Sequence, residues 1–190
     1  YKIGIVSAMV FFDDLINAFQ ESMAEYGYVE GKNISYEISR VEEPFGNHET
    51  IQELAEKEVD LMLSIATEAS IEAKEVLEGS VIPQVFTSAL IEEVDLIESV
   101  RAPGGNITGV RYPTIESAVG RLEFLLKIAP EVESILVLYL KDYPTTFPQL
   151  KAIRAVAADL QVTLIEGAFA SPEEVQAYLN EYASSADIDF

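Results

Sequence analysis

The sequence predicts an α/β protein made of two successive layers, each a parallel sheet covered by helices on both faces. Apolar runs of strand length alternate with stretches of helical period along the whole chain. The strand runs are apolar throughout rather than at every second residue, the pattern of a sheet buried on both sides. The alternation breaks once, at Arg101-Ala102-Pro103-Gly104-Gly105-Asn106, and restarts beyond Pro113. Two glycines beside a proline punctuate a chain strongly, which divides this one into a first α/β lobe over 1–110 and a second over 111–190.

Residues 3–6 predict the first strand. Leu15, Phe19, Met23 and Tyr26 then recur every three or four positions, one face of an amphipathic helix. Asp13 and Asp14 stand where the positive end of the helix dipole favours acids, and Gly27 is placed to end the helix. A second strand is expected over 33–39. Ile51, Leu54, Ala55 and Val59 mark the next helix, and Asp60 leads into a strand over 61–66. A helix over 69–78 turns Ala73, Val76 and Leu77 inward; Gly79 and Pro83 bracket the turn before a strand at 82–87. Beyond the break, 107–110 is a short extended piece. Val119, Leu122, Leu125 and Leu126 then form a helix face, followed by a strand over 134–140. Leu150, Ile153, Ala157 and Leu160 line another helix, and 162–168 is a strand. Ser171, Pro172 and Glu174 have the layout of a capping box, ahead of Val175, Leu179 and Tyr182 on the last helix face. Residues 188–190 read as the start of a further strand.

The 190 residues are 49% hydrophobic and 24% charged, which excludes a disordered or fibrous chain. Twelve Lys and Arg against 33 Asp and Glu give a net charge of −21, a field that repels phosphate backbones and argues against nucleic-acid or anionic-membrane partners. The absence of cysteine excludes a disulfide frame, a thiol nucleophile and a thiolate metal site. The single histidine, His48, excludes a His-rich metal site and reads as a capping or solvated residue in a loop before a helix. No apolar run approaches the ~18–20 residues of a membrane-spanning helix. Gly-x-Gly-x-x-Gly, Walker A and Gly-x-Ser-x-Gly patterns are missing, so no cofactor and no catalytic residue is expected. Glu42-Glu43 and Glu92-Glu93 read as solvated faces. The chain opens directly on strand residues, as expected if a signal segment was removed or the chain was trimmed.

Several segments together resemble the ABC transporter substrate-binding proteins of the tryptophan/tyrosine-binding type, a periplasmic-binding-like group. Lys2-Ile3-Gly4-Ile5-Val6 is similar to that family's first strand. Gly27-Tyr28-Val29-Glu30-Gly31-Lys32-Asn33 resembles its "GYVEGKNV" turn and Ile82-Pro83-Gln84-Val85-Phe86 its "IPIVF" strand. Pro103-Gly104-Gly105-Asn106-Ile107-Thr108-Gly109-Val110 resembles the "PGGNVTGV" crossover, and Val137-Leu138-Tyr139 the "VLY" strand of the second lobe. The resemblance implies two doubly wound lobes of the type I periplasmic-binding architecture, joined by a hinge and closing over a small molecule. Family members run on beyond the length of this chain, so the second lobe is expected to be incomplete. It also implies an extracytoplasmic solute-binding protein of an ABC importer, with permease subunits as partners and room for a lipid anchor outside this chain. The expected ligand is an apolar or aromatic amino acid or a similar solute. A ligand-sensing domain of a signalling receptor with the same fold is the second reading. An enzyme on this scaffold is the third, with no nucleophile–base pairing to support it.

In open parallel sheets ligands sit beyond the carboxyl ends of the strands. That directs attention to Ser7-Ala8, Thr67-Glu68-Ala69-Ser70 and Thr87-Ser88, and in the second lobe to the segment 139–146 with Tyr139, Asp142, Thr145 and Thr146. Thr67 and the N–H groups around it would suit a ligand carboxylate, or would serve as a simple N-cap. The resemblance places Gly-Thr-Pro-Ala where this chain has Ala66-Thr67-Glu68-Ala69. Glu68 meets a ligand ammonium on one reading and only the helix dipole on the other. Where the family often continues with Thr-Asp-Pro, this chain has Leu90-Ile91-Glu92. Arg111 either clamps a carboxylate bidentately or pairs with one of the many acids. Phe11, Phe12, Tyr112 and Tyr143 offer stacking surfaces or plain packing.

Overall fold

The computed structural model describes residues 1–7, 12–40, 46–143 and 145–184. The calls made on Ala8, Phe11, Glu42, Glu43 and 188–190 lie outside the described residues. The chain divides into two compact units, Tyr1–Tyr112 and Pro113–Phe190.

In the first unit the elements run β1 (Lys2–Ser7), α1 (Asp13–Glu25), β2 (Ser35–Arg40), α2 (His48–Glu56), β3 (Leu61–Ile65), α3 (Thr67–Val76), β4 (Gln84–Ala89) and β5 (Ile107–Arg111). The five strands form one sheet in the order β2-β1-β3-β4-β5, and every pairing is parallel. The central strands β1 and β3 are apolar almost throughout because both faces are covered. The edge strands β2 (SYEISR) and β5 (ITGVR) carry polar residues and stay more open, which corrects the expectation of strands apolar throughout. Ile3, Ile5, Leu63 and Ile65 pack with Ile16, Phe19 and Met23 of α1. Val6 and Met62, on the opposite face, pack with Ile51 and Leu54 of α2 and Ala69 and Ala73 of α3. A third cluster of Phe86, Ala89, Leu96 and Ile107 closes the β4–β5 end.

Helix α1 corrects the expected inward face. Ile16 is fully buried while Leu15 and Tyr26 are exposed, so the stripe runs through Ile16, Phe19 and Met23. Leu15 and Ile16 are adjacent apolar residues, and periodicity alone does not choose between two neighbouring stripes. Gly27 ends the helix at φ 90°. The Tyr28 N–H donates to the Met23 carbonyl at 2.9 Å and the Gly27 N–H to that of Ala24 at 3.0 Å, a Schellman closure. The following turn is tied by Asn33, whose Oδ1 accepts from the Val29 N–H at 2.7 Å and whose Nδ2 donates to the Gly27 carbonyl at 2.9 Å. Asn33 is thus spent on the turn, and β2 begins at Ser35. Helix α3 begins at Thr67, two residues ahead of the expected start.

The second unit contains α4 (Thr114–Ile128), β6 (Ser134–Leu140), α5 (Thr146–Asp159), β7 (Thr163–Phe169) and α6 (Pro172–Ser184). Its sheet has two parallel strands, β6 and β7. Leu122 and Leu150 are buried as expected, but Leu125 and Leu160 are exposed; Leu160 has passed the last turn of α5 and caps it. Ser171 caps α6 as expected, and only the reciprocal bond of the capping box is displaced by one residue. The Glu174 N–H donates to Ser171 Oγ at 3.3 Å, while Glu174 Oε2 accepts from the Ala170 N–H at 2.8 Å rather than from Ser171.

Candidate functional site

The register of the first sheet aligns Ser7 with Ile65 and Ile65 with Thr87, so β1, β3 and β4 end along one edge. Chain order reverses between β1 and β3: β2 lies on one side of β1 and β3 on the other. Such a switch point opens a crevice beyond the carboxyl ends of the two strands. Ser7 is buried at the end of β1. Beyond β3 the chain turns through Ala66 at φ 79° and ψ 166°, a conformation favoured by glycine, which costs about 1–3 kcal/mol in another residue. Ser88, at φ 56°, and the shift of register between Thr87 and Ala89 bend the end of β4 in the same neighbourhood. Backbone strain of this kind collects at binding sites.

The edge is laced together by hydrogen bonds. The Ala66 N–H donates to the Thr87 carbonyl at 3.1 Å. Thr67 Oγ1 accepts from the Leu90 N–H at 3.0 Å. Ser70 Oγ donates to the Ala66 carbonyl at 2.6 Å, and Gln84 Nε2 donates to both Ser64 Oγ and the Ser70 carbonyl. Thr67 therefore spends an acceptor lone pair on the β4 loop and keeps its own hydrogen to donate. Thr67, Glu68, Ala69 and Ser70 are all buried, Glu68 to 1% exposure. The N-terminus of α3 consequently carries its own buried acid.

Arg111, at the end of β5, lies beside an acid of its own unit: Nη1 donates to Glu92 Oε1 at 2.6 Å, with both side chains about one-third exposed. Glu92 is therefore half-buried and engaged, not the solvated residue expected. In the second unit the Tyr139 hydroxyl donates to Glu166 Oε2 at 3.2 Å. Arg154 grips the same carboxylate through Nε at 2.7 Å and Nη2 at 2.6 Å. The bidentate bond from Arg154 lowers the Glu166 pKa from its ordinary value and raises that of Arg154. Asp142 is exposed at φ 62° after β6. Thr146 Oγ1 donates to the Leu140 carbonyl at 3.0 Å, and Thr145 Oγ1 accepts from Gln149 Nε2 at 3.2 Å. A hollow of about 390 Å³, lined by Leu122, Leu136, Leu138, Leu150 and Ile153 among others, lies against β6.

Sequence reasoning missed Glu72. It is buried on α3, where Oε1 accepts from the Gly46 N–H at 2.7 Å and Oε2 from the Asn47 N–H at 3.0 Å and Asn47 Nδ2 at 2.5 Å. His48 Nδ1 lies 3.3 Å from Glu72 Oε1 and its Nε2 2.9 Å from Glu75 Oε2. Helix α3 thus caps the start of α2. The available signal was an acid beside the core positions Ala69 and Ala73. Among the described residues no group of three acids or imidazoles is placed to hold a metal ion, and no helix is long and apolar enough to cross a membrane.

Residues 6–188 match the family model described as ABC transporter substrate binding protein. Among solved structures, a conserved domain protein from Vibrio cholerae O1 biovar eltor matches at 22% identity and a TM-score of 0.78. An ABC domain from Streptococcus pneumonia in complex with L-Trp matches at the same identity and TM-score. In both cases 98% of this chain and 63% of the other is covered. A ligand-free, open substrate-binding protein with adhesive properties from Clostridium difficile matches at 21% identity and a TM-score of 0.68, over 96% of this chain and 62% of that one. These likenesses establish the fold, that of the periplasmic-binding-like proteins, and this chain spans about 63% of the length of the solved relatives. No curated protein matches the sequence.

Proposed function

We propose that this chain, which belongs to the ABC transporter substrate-binding protein family, captures a small solute at the carboxyl edge of its first parallel sheet for delivery to the permease of an importer. The observation that carries the reading is the meeting of Ser7, Thr67 and Ser88 at one switch-point edge, on a backbone strained at Ala66 and Ser88. The buried Ser7 and Thr67, with Thr67 fixed by the Leu90 N–H and Ser88 half-buried beside them, offer a small polar molecule hydroxyls that need less reorganisation than a mobile loop requires. The solute class is an apolar or aromatic amino acid or a relative of one. The solved relative with L-Trp supports it. The net charge of −21 supports it too, since such a field disfavours anionic solutes, although screening confines the effect to about 8 Å. The chain binds and releases, with no chemical step. Its setting is extracytoplasmic, where an importer receives its solute.

A thermal-shift screen of the full-length protein tests this, because a ligand of the folded state raises its stability by mass action. Amino acids and other zwitterionic, neutral or cationic solutes raise Tm; dicarboxylates and phosphate esters do not. Strong stabilisation by the dianions, with none from amino acids or uncharged solutes, overturns the reading.

A further inference from the structure

Glu68 and Glu72 stand one turn apart on α3, and both are buried. Their treatment differs. Glu72 is saturated by the Gly46 and Asn47 N–H groups and the Asn47 side-chain amide. Glu68 Oε1 has no hydrogen-bond partner among the described residues. Four cations of the same unit are engaged elsewhere: Arg40 with Asp13, Lys57 with Glu37, Lys74 with Asp95 and Arg111 with Glu92. A buried acid that lacks a donor is costly, and the positive end of the helix dipole offsets that cost only in part. The fold supplies donors to the acid one turn away. It leaves this one, at the second residue of the helix that leaves the switch point, with a buried oxygen that no described residue satisfies.

We infer that Glu68 is the specificity-determining residue of the site and takes a protonated primary amine of the solute; the inference rests on the solute-capture reading above. The start of a helix ordinarily attracts anions, and a ligand carboxylate was the natural expectation at Thr67. The buried carboxyl of Glu68 reverses that preference, since a second carboxylate brought there meets like charge at low dielectric. An ammonium supplies the donor that Oε1 lacks. A divalent cation is disfavoured because it needs several oxygen ligands, and the neighbouring carboxylate, Glu72, is already saturated.

The test uses the full-length protein and matched probes: L-tryptophan, indolepropionate without the amine, and tryptamine without the carboxylate. L-leucine, isocaproate and isoamylamine form a second set with a smaller side chain. Calorimetry is expected to give amine loss a cost of roughly 10- to 150-fold in affinity, the worth of a hydrogen bond to a charged group. Carboxylate loss is expected to cost less. Glu68→Gln should erase the difference between each amine and its amine-free partner and raise the Tm of the ligand-free protein, because the open buried acid is gone. Equal binding of amine and amine-free probes by the unaltered protein overturns the inference while solute capture stands. So does an amine preference that survives Glu68→Gln, or a fall in ligand-free Tm, which would make Glu68 a structural acid. Binding of none of the probes overturns the inference together with the amino-acid reading. Should Glu68→Gln fail to fold, Glu68→Asp carries the same comparison: a weakened amine preference supports the inference, and an unchanged one overturns it.

Discussion

Strands β1 and β6 open their two units with runs of similar apolar character, KIGIVS and SILVLYL, yet they come to different ends. From Ile3 onward β1 is buried, whereas β6 is at most half-buried along its length. Central in its sheet, β1 has β2 on one side and β3 on the other, with α1 on one face and α2 and α3 on the opposite face. Among the described residues β6 pairs with β7 alone, and a hollow lies against it under α4 and α5. Among the described residues of the second unit the buried apolar ones are Ala118, Leu122, Pro148, Leu150 and Ala157, against the three closed clusters of the first. An apolar strand is a demand for cover; the neighbours decide whether it is met.

The largest expected effect separates the two units directly. Ile5→Ala leaves a cavity between α1 and the sheet and should cost about 2–5 kcal/mol. Leu138→Ala, on a side chain that still meets solvent and a hollow, should lose little beyond a reduced transfer contribution, about 1 kcal/mol. Denaturant unfolding followed by hydrogen exchange in each unit reads the two costs separately. Equal costs would break the comparison.

Helix starts give the next contrast. Glu72→Ala strips a buried acceptor from three donors at the start of α2, and should cost about 2–3 kcal/mol. Ser171→Ala removes the exposed cap of α6, at about 0.5–1 kcal/mol. Tm shifts of the two variants should differ in the same order. Close approach gives a smaller one. A Cβ at Gly109 would strike the Phe86 backbone carbonyl and ring, whereas at Gly167 it would meet the Phe169 ring edge at 2.7 Å and the Leu138 methyl at 2.9 Å. Backbone cannot yield as side-chain ends do, so Gly109→Ala should cost about 1–3 kcal/mol and Gly167→Ala less than about 1 kcal/mol.

The smallest effect is one of pH. The Arg154 hydrogen bond lowers the Glu166 pKa from 4.5. Its contribution is therefore complete above the ordinary carboxylate range and is lost as pH falls through the lowered value. For a pair this open to solvent the contribution is small. Glu166→Gln should erase that part of the acid dependence of the second unit and leave the first unit unchanged, as a pH series of hydrogen exchange would report.

Much of the architecture was legible because it follows from local demands. Alternating apolar runs fixed the order of strands and helices, and the Pro-Gly-Gly break marked the restart. Gly27 could be placed as a helix stop because only its positive φ closes that turn without strain. The stripe of α1 was misassigned because Leu15 and Ile16 are equally apolar and only the sheet beneath α1 chooses between them. That Ser7, Thr67 and Ser88 stand at the carboxyl ends of strands was legible from the strand runs alone. What the residues there do was not, since hydroxyl and carboxyl partners come from segments distant in sequence: Leu90 for Thr67, Glu92 for Arg111, Glu166 for Tyr139.

The sequence by itself determined the α/β class, the parallel sheets and the places where the strands end, because periodicity and turn chemistry act over a few residues. Only the tertiary structure decided that Glu72 is satisfied and Glu68 is not. Both are acids on one helix, one turn apart, and the same residue type reads identically at either position. Gly46 and Asn47 reach the first and bring it three donors across 25 residues of chain, whereas no described residue reaches Oε1 of the second. Burial and hydrogen bonding are properties of neighbours in space, and neighbours in space exist only once the chain has folded.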